Sequence, residues 1–167
     1  MIILKIIILI LIFGVSYIIG VMIAKQYSKR VEELEDMKNS LIILQTKVRF
    51  SKEPLSLIFK YISNISKNKE VFYKANENMK TMLAGEAWRN SLHTVHTNLE
   101  KEDIDILVSL GNMLGKTDSE GQVNHIEEIK ELLSIQLKNA NLEKEKNEKL
   151  YKTLGMTIGL TIVIILI

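Results

Sequence analysis

His93 and His96 are three residues apart, an interval that sets two side chains on one face of a helix. With Glu86, Glu100 or His125 added, the set has the donor types of a zinc site. Zinc needs three or four converging ligands, held by further hydrogen bonds. A histidine pair on a helix surface is far commoner as plain solvated surface, so no metal and no cofactor is expected, and His125 reads as a surface or interface residue. Gly111, Gly115 and Lys116 lack the glycine spacing and the following Ser/Thr of a phosphate-binding loop. Neither a G-x-S-x-G turn nor a zinc-protease signature occurs, and no carboxylate sits in an acid/base motif. Cysteine is absent, which excludes disulfide and thiolate chemistry. No catalytic residue is assigned, and the chain reads as a non-enzyme.

The residues left over are those that pack or dock. Trp88, the single tryptophan, reads first as a core aromatic whose indole N–H finds a neighbour, and second as an interface anchor. Gly155 and Gly159 have the G-x-x-x-G spacing that lets helices approach in a membrane. With Gly14 and Gly20 they suit packing of two membrane helices on each other or homo-oligomerisation.

The elements that must position these residues start in lipid. Residues 6–24 hold no charge, and at ~1.5 Å per residue they span about 28 Å, close to a hydrocarbon core of ~30 Å. Residues 154–167 are apolar too but cover only about 21 Å, or about 27 Å if counted from Leu150. The first block is too long for a signal-peptide core, and Met22 stands where a small residue would precede cleavage after Ala24, so it reads as a retained anchor. Lys25, Lys29 and Arg30 follow it, and Lys144, Lys146, Lys149 and Lys152 precede the second block. This bias puts the middle of the chain in the cytoplasm and both termini outside. The mean hydropathy of +0.11 averages these unlike parts. A net charge of +2 is too mild to argue for nucleic acid.

Between the anchors the chain reads as helix. Val31, Leu34, Met37, Leu41, Leu44 and Val48 recur by threes and fours, an amphipathic stripe that continues the first membrane helix without a breaker until Pro54. Glu32, Glu33, Glu35, Asp36 and Lys38 are expected on its solvated side. Pro54 opens a second helix with Leu55, Ile58, Phe59 and Ile62 inward, and residues 63–68 read as a polar break. A third helix buries Val71, Phe72, Ala75, Met79, Met82 and Leu83, and Gly85 ends it or turns the chain. Residues 86–95 form a short helix carrying Trp88 and Leu92. Residues 103–114 form another, with Ile104, Leu107, Leu110 and Leu114 inward. Gly111 inside it would admit a close neighbour, and Gly115 is placed as a left-handed cap. Asp118 or Ser119 caps a last helix with Val123, Ile126, Ile129, Leu133, Leu137 and Ala140 inward, which runs through a solvated stretch, 139–149, into the second apolar block. The fold expected is all-α: a transmembrane helix over 6–24, a cytoplasmic helical bundle over 25–150 and a C-terminal transmembrane helix over 151–167.

In order along the chain stand Pro54-Leu55, Glu86-Ala87-Trp88 with Ser91-Leu92, Leu110-Gly111, Leu114-Gly115, Asp118, Gln122 and Leu154-Gly155. Together they resemble the stage III sporulation protein AB family over the whole chain. The resemblance implies an endospore former, a bundle like the cytoplasmic domains of type II secretion and type IV pilus platform proteins, and a place in the channel complex between mother cell and forespore. The partners it implies are the secretion-type ATPase of the same operon and other sporulation channel proteins, with the domain in mother-cell cytoplasm. Glu86, Trp88, Leu110, Gly111, Leu114, Gly115, Asp118 and Gln122 are the partner-binding or structural candidates. Where the family commonly carries acidic residues near the end of the first cytoplasmic helix, this chain has Gln45, Thr46 and Lys47, so an acidic docking surface is not carried over to it. The competing reading is a membrane-anchored helical scaffold or signalling module unrelated to secretion.

Overall fold

The computed structural model describes residues 2–51 and 53–166. Ile167, the last residue of the second apolar block, lies outside the described residues. Among these residues there is no strand, and six helices follow in order: α1 (Ile2–Phe50), α2 (Leu55–Ile65), α3 (Lys69–Asn78), α4 (Ala84–Thr94), α5 (Lys101–Leu110) and α6 (Ser119–Leu166). They divide into two compact units. One holds α1 up to Val31 with α6 from Asn139 onward; the other is Glu32–Lys138.

In the first unit α1 and α6 pack antiparallel, and glycine sets their distance. A Cβ on Gly20 would lie 2.5 Å from the Tyr151 carbonyl, and one on Gly155 would lie 2.9 Å from that of Ser16. The Ser16 hydroxyl donates to the Gly155 carbonyl at 2.8 Å. Gly159 meets Phe13 and Ser16, while Gly14 faces open space. The G-x-x-x-G spacing therefore serves packing within the chain. The outward faces are mainly Ile, Leu, Val and Met, with Tyr17, Thr157 and Thr161 also exposed, and both helices are long and apolar enough to cross a membrane. The stretch 139–149 differs from expectation. Most of it is exposed, but Ala140 is buried and Glu143 meets the buried Arg30 at 2.6 Å, so it packs on α1.

In the second unit the stripes of α1 and α6 both point inward, with Leu34, Met37, Leu41 and Leu44 buried on α1 and Val123, Ile126, Ile129 and Leu133 buried on α6. Trp88, Phe59 and Phe72 fill the centre with ring centroids 5.3–5.8 Å apart. Several boundaries move. Helix α2 runs on to Ile65, and Pro54 precedes it in an extended conformation, its carbonyl accepting from Leu57 and Ile58. Helix α3 stops at Asn78, whose amide donates to Asn90 at 3.0 Å. Met79 is thus only half-buried, and Met82 and Leu83 are exposed. Gly85 lies inside α4 rather than at a break. Helix α5 ends at Leu110, with Leu114 buried in the turn beyond it. It begins with a reciprocal cap between Glu100 and a fully buried Asp103, which satisfies backbone donors that a helix start leaves open.

Two expected surface residues of α1 turn out to be caps for loops. Asp36 accepts from the Ser66 hydroxyl and from the Lys67 and Asn68 amides. Glu33 accepts from the Asn98 backbone and side chain. Connections that lack helical partners for their N–H groups find them on α1, because an unpaired buried donor is costly.

Candidate functional site

The residues singled out by sequence gather around the turn from α5 to α6. Gly85 of α4 lies against Gly111 so closely that a Cβ on Gly85 would stand 1.9 Å from the Gly111 carbonyl oxygen. Trp88, one turn further along α4, donates its indole N–H to the Leu107 carbonyl at 2.7 Å, fixing the same two helices a second time. Gly115 has φ +71°, a left-handed conformation that glycine adopts without strain. It lies beyond the turn that follows α5 rather than capping that helix. Gln122 ties the turn together: its Oε1 accepts from the Gly115 amide at 3.3 Å and its amide donates to the Thr117 carbonyl at 3.0 Å. Asp118 is the helix cap, accepting from the Gly121 amide at 2.9 Å, while Ser119 donates to the Val48 carbonyl at 2.6 Å.

Leu110, Gly111, Leu114 and Trp88 are thus buried framework, and only Glu86 among the α4 candidates is exposed. Of the sequence candidates only Gln122 lines the cleft of about 400 Å³ that it forms with Val48, Arg49, Phe50, Ser51, Glu53, Leu55, Ile58 and Ser119. Phe50 is 79 % exposed at its rim, and Arg49 and Glu53 supply charges of both signs. An exposed aromatic beside a guanidinium is the composition of a protein-docking site. Sequence reasoning missed these three residues; the signal available was an apolar aromatic four residues before Pro54.

Beside the cleft, α1 and α6 are joined by a polar cluster. Gln45, mostly buried, donates to the Val123 carbonyl at 3.0 Å and to Glu127 at 2.7 Å. Lys130 donates to both Gln45 and Glu127 at 2.9 Å. The Gln45 amide, and then Lys130, hold the Glu127 carboxyl below its ordinary value. Gln45 thus supplies a donor toward α6 that an ionised acidic residue could not.

The histidines do not converge. Helix α4 ends at Thr94 and Val95 is extended, so His93 and His96 do not share a helical face. His125 lies with Nε2 3.1 Å from the Ser109 carbonyl and Nδ1 3.1 Å from Glu128, joining α6 to α5. Among the described residues no group of three His, Cys, Asp or Glu could hold a metal ion.

Fold and site together define an all-α bundle with two helices of membrane-spanning length and a cleft rimmed by Arg49 and Phe50. Residues 5–167 match the family model described as Stage III sporulation protein AB, and the chain belongs to that family. The stage III sporulation protein AB of Bacillus subtilis (strain 168) is 26 % identical over 158 residues, covering 88 % of this chain and 90 % of that one. The solved structure of a stage III sporulation protein AB superposes with a TM-score of 0.66 at 20 % identity, over 71 % of this chain and 98 % of its own, which supports the fold.

Proposed function

We propose that the protein is a non-enzymatic platform in the mother-cell membrane around the forespore, part of the channel needed for endospore formation, with its bundle in mother-cell cytoplasm. There it docks or regulates the cognate secretion-type ATPase. The observation that carries this reading is the continuity of α1 and α6: each is one hydrogen-bonded helix holding both a membrane-length apolar segment and a core stripe of the bundle. A platform has to join a cytoplasmic motor to parts within the bilayer, and each of these two helices contributes residues to both units without a break in its backbone hydrogen bonding.

The cleft at Arg49 and Phe50 is the docking surface in this reading. A photo-crosslinking residue at Phe50 tests it in sporulating cells. The expected result is a crosslink to the ATPase that a similar probe at Glu70 on α3 does not give. Reproducible absence of the ATPase from both would overturn the platform reading and favour a scaffold unrelated to secretion.

A further inference from the structure

The net charge of +2 hides a separation. The bundle Glu32–Lys138 holds 14 basic and 17 acidic residues, and the rest of the chain holds 8 and 3. Apart from Lys5, every charge of the membrane unit falls within 25–30 of α1 or 143–152 of α6. Two pairs neutralise themselves: Arg30 with Glu143 and Lys152 with Glu148, each at 2.6 Å. That leaves Lys25, Lys29, Lys144, Lys146 and Lys149 against Glu145, a net of +4.

On each helix these lysines fall within a band of about 6–7.5 Å. Lys25 directly follows the apolar block of α1, and Lys29 lies about 6 Å further along the helix. On α6, Lys149 precedes Leu154 by about 7.5 Å. Between them Tyr27 and Tyr151 stack with centroids 5.9 Å apart, and tyrosine pairs of this kind belong at the headgroup level of a bilayer. Lys25, Lys29, Lys146 and Lys149 are exposed. Orientation during insertion needs only the count of such residues near each helix. The packed helix pair adds something else, because it brings lysines from two distant sequence segments to the same end of the apolar helix pair, around the Tyr27–Tyr151 stack.

We propose that this collar binds anionic phospholipid headgroups of the cytoplasmic leaflet and retains them as a shell around the helix pair. The proposal rests on the reading of α1 and α6 as membrane-spanning. Phosphate in that layer meets several ammonium groups at once within a Debye length of about 8–10 Å, and each lysine near the surface strengthens the attraction about fivefold.

The test uses the full chain reconstituted in bilayers of equal parts phosphatidylglycerol and phosphatidylcholine. Native mass spectrometry then identifies the lipids retained on release. Wild type is expected to keep phosphatidylglycerol over phosphatidylcholine by at least about fivefold, and raised salt during release is expected to reduce that ratio. K25Q/K29Q/K146Q/K149Q should fall to near parity. K146Q/K149Q, which keeps the orienting lysines of α1, should fall part of the way. Equal retention by wild type, or an unchanged ratio in both variants, overturns the collar. Alkaline carbonate extraction reports separately on the spanning reading: a chain that resists extraction but shows no lipid preference refutes the collar alone, and one that is extracted refutes both.

Discussion

Gly85→Ala is the sharpest perturbation this fold offers. The added Cβ would stand 1.9 Å from the Gly111 carbonyl oxygen, and the atom it meets is backbone, so no side chain can rotate away. Helices α4 and α5 must separate by at least about 1 Å, and overpacking of this kind costs about 1–3 kcal/mol. The same movement stretches the 2.7 Å bond from Trp88 to the Leu107 carbonyl beyond bonding distance, adding about 1–1.5 kcal/mol. Better helix propensity returns at most about 1 kcal/mol. The net loss expected is about 1–3.5 kcal/mol, a fall in midpoint of about 4–15 °C for a domain of this size. Thermal unfolding of the full chain in detergent, followed by fluorescence of its single tryptophan, reads this directly because Trp88 sits in the affected core. Gly111→Ala meets the Gly85 oxygen at 2.6 Å and should cost less; Gly14→Ala meets nothing and should be neutral. If Gly85→Ala unfolds within about 0.5 kcal/mol of wild type, or the order of the three is reversed, the close-approach reasoning is wrong.

Trp88→Phe removes the indole donor and leaves space in the aromatic cluster; a loss of about 2–3 kcal/mol is expected by thermal unfolding followed by circular dichroism. In the apolar helix pair, cysteines at Tyr27 and Tyr151 should crosslink readily in a chain without other cysteines. Adding Gly20→Leu, whose Cβ would press on the Tyr151 carbonyl, should abolish that crosslink; persistence would refute the antiparallel pairing. Glu127 has its carboxyl held below the ordinary value by Gln45 and Lys130. Its contribution to stability is therefore complete above the unfolded value and lost as pH falls through the lower folded one. The thermal midpoint should hold from pH 7 to about 5 and decline below it. Glu127→Gln should flatten part of that decline, and an identical pH profile for both proteins would remove the cluster from the account.

How far the sequence reached depended on whether a signal was local. Helical type and the inward positions are readable from the spacing of Leu34, Leu41 or Ile126, because burial along one helix follows its own period. Helix ends are read less well. Residues 79–83 carry apolar side chains at helical spacing, yet α3 stops at Asn78 and the chain turns beyond it, the Lys80 and Thr81 amides donating to the Glu77 and Asn78 carbonyls, which the apolar spacing does not reveal. The glycines show the division most clearly. Spacing suggests that Gly111, Gly155 and Gly159 admit close neighbours, but does not say which neighbour. Tertiary structure supplied Gly85 for the first and α1 of the same chain for the others.

By itself the sequence determined an all-α chain with two apolar helices, because composition and periodicity act within each segment. Only the tertiary structure decided that Glu33, Asp36, Arg30 and Gln45 are engaged by other segments of the chain, and that Phe50 stands at the rim of a cleft. A polar side chain is as soluble as it is bondable, so its own position cannot tell the two fates apart. The partner that decides between them is remote in sequence: Asn98 for Glu33, Asn68 for Asp36, Glu143 for Arg30, Val123 and Glu127 for Gln45.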